Sequence, residues 1–96
     1  MGLFNFFKRE KVIDLDEERR RLLLETGRIT DGRIIDSDPA KNGREIVFYV
    51  YTLNGVDFES SEMLTDEQME DPLKYAPGAK VGVRYDPRNQ GNSMLV

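Results

Sequence analysis

Three local patterns predict an α+β, mostly β fold for this chain. Lys80–Asp86 alternates Val81, Val83 and Tyr85 between a Pro77-Gly78 turn and an Asp86-Pro87 stop, the period-2 signature of a strand with one buried face. Arg44–Leu53 carries apolar residues on both parities, Ile46, Phe48 and Val50 on one and Val47, Tyr49, Tyr51 and Leu53 on the other, as in a strand covered on both sides. Asn54-Gly55 follows it directly. Both residue types tolerate positive φ, which a two-residue type I′ hairpin requires. Brief strands joined by tight turns favour a small five-stranded antiparallel, partly open barrel over a parallel sheet. A short N-terminal helix and one helical turn complete the expected architecture.

The elements follow in chain order. Residues 1–13 form an apolar and basic segment that is expected to be flexible, ahead of a single β-rich domain over 14–96. Asp14–Glu25 reads as a helix: Asp14 caps it, Glu17 stands three residues on, and acids precede the arginines 19–21, which suits the helix dipole. Leu15, Leu22 and Leu23 share a narrow stripe, and Gly27 supplies the stop. Arg28–Asp36 is the first strand, with Ile29 and Ile35 on one parity, Ile34 on the other, and Gly32 where a bulge would switch them. Ser37–Gly43 is a turn-rich connector.

After the central strand and its Asn-Gly turn, Val56–Glu62 returns with Val56 and Phe58 inward. Thr65-Asp66-Glu67-Gln68 is a capping-box pattern opening a helical turn, anchored by Met69 and ended by Pro72. Ser93–Val96 closes the set as a last strand with Met94 and Val96 on one face. The expected core is Ile29, Ile34 or Ile35, Ile46, Phe48, Val50, Phe58, Leu64, Val81, Val83 and Tyr85.

Composition narrows the chemistry. The 96 residues include no cysteine and no histidine. Disulfides, thiolate metal sites and cysteine nucleophiles are excluded, and so is the side chain best suited to proton transfer near neutral pH. Net charge is −4, and the stretch from Asp57 to Asp71 holds seven acids and no base. Such a surface repels phosphate backbones, so nucleic acid is a poor default partner. The longest apolar run, Ile46–Tyr51, is far short of the roughly 20 residues that a membrane helix needs, and Met1–Phe7 lacks the pattern of a secretory signal.

Several motifs together resemble a known family. They are Thr26-Gly27-Arg28-Ile29, the aromatic strand Val47–Tyr51 leading to Asn54-Gly55, and the run from Tyr75 through Pro77-Gly78 and Lys80-Val81-Gly82-Val83-Arg84-Tyr85 to Asp86-Pro87. The chain over residues 25–96 resembles a bacterial small β-domain family of unknown function, whose members often stand beside transmembrane helices. The resemblance implies the barrel fold and no established activity, and it carries over no catalytic or ligand-binding residue.

Several groups of residues invite a chemical reading. Phe4, Phe6 and Phe7 beside Lys8, Arg9 and Lys11 fit a short interfacial anchor, with aromatics among headgroups and cations on anionic lipid. The competing reading is a frayed terminus or one tucked onto the sheet. The acids of Asp57–Asp71 read as a solvated face, because they lack the regular ligand spacing of a calcium loop. Ser60 and Ser61 have no histidine to activate them. Phe48, Tyr49, Tyr51, Phe58, Tyr75 and Tyr85, with Arg28, Arg33, Arg44 and Arg84, would form a stacking platform for bases only if the arginines converge. The open edge at Ser93–Val96 is a place for a partner's strand. The reading is therefore a non-catalytic binding or interaction module. It is expected to be cytoplasmic and peripheral at the inner membrane surface, with an unknown protein partner. It needs no metal or cofactor. A small single-stranded nucleic-acid-binding barrel is the alternative.

Overall fold

The computed structural model describes residues 17–96. Phe4, Phe6, Phe7, Lys8, Arg9, Lys11, Asp14 and Leu15 lie outside the described residues. Helix α1 covers residues 17–26 of them. It is followed by β1 (Arg28–Pro39), a 3₁₀ turn (Lys41–Gly43), β2 (Glu45–Leu53), β3 (Val56–Met63), α2 (Asp66–Met69), β4 (Lys80–Asp86) and β5 (Asn89–Leu95). All strand pairs are antiparallel, in the order β3-β2-β1-β4-β5. Strand β1 is thus central. The sheet curls until its edges β3 and β5 meet, giving a nearly closed barrel.

The turns are built as their residues dictate. Asn54 and Gly55 both have positive φ, 51° and 79°, the type I′ geometry whose twist matches the flanking strands. At Ala76–Ala79 the Ala79 amide donates to the Ala76 carbonyl at 2.9 Å. Pro77 and Gly78 occupy the centre, with Gly78 at φ 92°, a type II turn. The turn also extends the ladder, since Gly78 N donates to Ile34 O and Ile34 N to Ala79 O. The capping box forms in full: Thr65 Oγ1 accepts from Gln68 N, and Thr65 N donates to Gln68 Oε1 at 2.8 Å.

The core comprises Ile34, Val47, Tyr49, Tyr51, Leu64, Tyr75, Val81, Val83 and Leu95, with Leu53, Phe58, Met69 and Tyr85 packed against it. Four expectations are corrected here. First, β2 turns Val47, Tyr49 and Tyr51 inward, while Ile46, Phe48 and Val50 face outward, half-buried. The tyrosines win the interior because their rings fill it and their hydroxyls find polar partners across the barrel. Tyr49, Tyr51 and Phe58 stack in series, with centroids 6.1 and 5.4 Å apart. Second, the parity switch in β1 falls at Ile35, between Ile34 and Asp36, and not at Gly32. Ile34 is buried, while Ile29 and Ile35 are exposed.

Third, β5 is longer than expected and turns Ser93 and Leu95 inward, leaving Met94 half-buried and Val96 exposed. Tyr85 opposes Ser93 and Val83 opposes Leu95, so β5 takes its parity from β4. Fourth, among its described residues α1 buries Leu23, while Leu22 is exposed. The helix reaches β5 through Arg19 and stands beside Arg84 of β4 at Gly27. Its Arg19 donates to Ser93 O at 2.6 Å and Asn92 Oδ1 at 3.2 Å. Gly27 ends it, with its amide on Leu23 O at 2.9 Å. A Cβ at Gly27 would stand 2.4 Å from that oxygen and 2.8 Å from Arg84 Cγ, so only glycine fits the joint.

Candidate interaction surface

The alternation of β2 makes two faces with different chemistry. The inner face ends in hydroxyls that close the barrel. Tyr49 OH and Ser93 Oγ lie 2.8 Å apart, and Tyr51 OH donates to Gln90 O at 2.6 Å. Glu62, read from sequence as a surface acid, is buried and accepts from Leu95 N at 3.4 Å. The parity of β3 is the signal that would have found it, since Glu62 falls in step with Phe58 and Ser60. Burial holds the Tyr49 phenol above its ordinary value, and hydrogen bonding with Ser93 and Ser60 offsets this only in part.

The same bonds answer what β5 offers as an edge. Gln90 O, Ser93 O and Leu95 N are taken by Tyr51, Arg19 and Glu62. Side chains of the chain itself thus occupy groups that an incoming strand would need, a common protection of edges.

The outer face of β2 is different. Ile46, Phe48 and Val50 are half-buried, and Ile35 (41% exposed) and Met63 (43%) extend the apolar stripe to either side. Register explains the grouping: Ile46 opposes Met63, Phe48 opposes Asp36 and Ser61, and Val50 opposes Arg33 and Glu59. An apolar stripe thus runs along β2 with a polar rim on both neighbours, the composition of a protein contact surface.

Other candidates separate. Ser60 faces inward toward Tyr49, and Ser61 faces outward beside Phe48. Asp66 pairs with Arg44 at 3.5 Å. Among the described residues no three acidic side chains converge to hold a metal ion. The four arginines do not converge on one groove: Arg44 is just ahead of β2, Arg33 is midway along β1, and Arg28 and Arg84 are on adjacent rungs at the opposite end of the β1–β4 pair. Of the six aromatics, Tyr49, Tyr51 and Tyr75 are buried, Phe58 and Tyr85 pack on the core, and Phe48 is on the outer face. Among the described residues no helix is long and apolar enough to cross a membrane.

A family model described as a domain of unknown function (DUF3592) matches residues 25–96, three quarters of the chain. The chain belongs to the DUF3592 family. The matched region spans the whole DUF3592 barrel and leaves most of α1 ahead of it. No curated protein and no solved structure matches this DUF3592 chain significantly.

Proposed function

We propose that this domain is a non-catalytic interaction module that presents the outer face of β2 to a protein partner. The apolar stripe Ile35, Ile46, Phe48, Val50 and Met63 within its polar rim carries the reading. Interfaces concentrate their energy in a few central apolar or aromatic anchors, and Phe48 is the aromatic side chain at the centre of this face. The composition agrees, because without histidine or cysteine the chain lacks the usual groups for proton transfer and covalent catalysis.

In this reading the module works in the cytoplasm, and Phe4, Phe6 and Phe7 with Lys8, Arg9 and Lys11 hold it against the inner membrane surface. The two halves of the proposal are tested separately. Affinity capture from the native cell, run with wild type and with Phe48→Ser, is expected to lose its specific partner in the variant. An unchanged capture profile removes the β2 face from the proposal. Flotation with anionic vesicles is expected for the full chain and not for residues 12–96; equal flotation of both removes the anchor. A salt-sensitive mobility shift with single-stranded oligonucleotides would instead favour the nucleic-acid-binding barrel.

A further inference from the structure

A hollow of about 410 Å³ lies outside the sheet beside the β2 stripe, lined by Asp31, Gly32, Arg33, Val50, Thr52 and Lys80 among others. Its origin is local. A Cβ on Gly32 would stand 2.6 Å from Val83 Cγ2 and 2.9 Å from Val50 O. Strand β1 therefore sinks toward the interior at this residue, and its outside is left low. Arg33 flanks the hollow directly opposite Lys80 in the β1–β4 ladder. Side chains so placed have Cβ atoms about 5 Å apart, and like charges in that position repel. Both are exposed, and neither has an ion-pair partner among the described residues. Asp31 lines the hollow with them, while Asp57, which accepts from Thr52 Oγ1 at 2.6 Å, and Glu59, opposite Val50, stand on its far side.

We propose that this hollow is a carboxylate-binding site. A guanidinium offers two parallel N–H donors that match the two oxygens of a carboxylate. The Lys80 ammonium supplies a further donor, and Val50 and the Thr52 methyl form an apolar wall for the attached carbon. The acids around the hollow, Asp31, Asp57 and Glu59, repel a phosphate dianion more strongly than a singly charged carboxylate. The carboxylate belongs either to a small organic acid or to an acidic residue of a peptide. This site shares Val50 with the β2 stripe but does not include Phe48, and its binding of a carboxylate does not depend on a protein at the β2 face.

The test is an amide-resolved NMR titration of the full chain at constant ionic strength. The probes are sodium propionate, a blocked peptide with one glutamate, and inorganic phosphate. Saturable shifts are expected at Gly32, Arg33 and Lys80 with propionate or the peptide, and the stronger of the two names the source. Arg33→Gln and Lys80→Gln are each expected to weaken binding about tenfold, the worth of one charge-assisted hydrogen bond. Arg21→Gln, on the exposed face of α1, is expected to leave it unchanged. Both site variants alter exposed side chains, and their spectra report folding directly. Shifts that do not saturate, that spread equally to Arg21, Lys74 and Arg88, that survive in both variants, or that are larger with phosphate overturn the proposal.

Discussion

Tyr49 buries its ring and brings its hydroxyl 2.8 Å from Ser93 Oγ, and this fixes how the fold responds to alkali. Burial is the main cause that raises its pKa above the ordinary 10.0. Above pH 10 the unfolded chain releases this proton while the folded chain keeps it, so stability falls as pH rises. The contribution is complete below pH 10 and is lost through the raised folded value. Urea unfolding between pH 8 and 11 is expected to show a steeper alkaline loss in wild type than in Tyr49→Phe. At neutral pH that variant is expected to be about 1 kcal/mol less stable through the lost hydrogen bond. Equal slopes in the two proteins would contradict the account. Gly32 sets a steric limit instead, because one of the two atoms that a new Cβ would approach closer than 3.0 Å is the Val50 carbonyl oxygen. Gly32→Ala is expected to cost about 2 kcal/mol by overpacking, read as a fall of roughly 10 °C in melting temperature.

Elements differ in what holds them. The described part of helix α1, residues 17–26, has too few turns to be stable on its own, and it is secured by Leu23, by Arg19 on Ser93 O, and by the tight joint at Gly27. Leu23→Ala is expected to cost about 2–3 kcal/mol in denaturant unfolding, while Leu22→Ala, 56% exposed in wild type, is expected to stay within about 0.5 kcal/mol. This helix lies mostly ahead of the matched family region, yet it contributes a buried leucine to the folded unit. In α2 the reciprocal Thr65–Gln68 bonds supply the local order, and Thr65→Ala is expected to cost about 1 kcal/mol.

At the scale of the whole molecule the barrel is closed on four sides by strand ladders and on the fifth by side chains. Where β3 meets β5, Glu62 of β3 accepts from Leu95 N, and Tyr49 and Tyr51 of β2 reach across the interior to Ser93 and Gln90 of β5. Side-chain bridges yield more readily than a continuous ladder, so local opening is expected to begin there. Hydrogen exchange is therefore expected to be slowest in β1, paired on both sides, and faster at Leu95, whose amide is held by a carboxylate at 3.4 Å. Uniform protection across the sheet would show that the seam is as firm as the ladders.

Local chemistry alone specified much of this protein. The Asn54-Gly55 and Pro77-Gly78 turns, the Thr65 capping box and the extent of the β2 strand follow from φ preferences and short-range hydrogen bonds within a few residues of each other. So did the alternation of Val81, Val83 and Tyr85 and the mostly β class. Which face of β2 points inward did not follow, because Ile46-Phe48-Val50 and Val47-Tyr49-Tyr51 are both apolar and hydrophobicity does not choose between them. The choice depends on Ser93 and Gln90, some forty residues away, receiving the tyrosine hydroxyls. The same holds for buried Glu62 and for the Arg33–Lys80 pair, brought together by the β1–β4 register. Only the closed sheet sets these long-range partners, and they determine both the core and the surface left for binding.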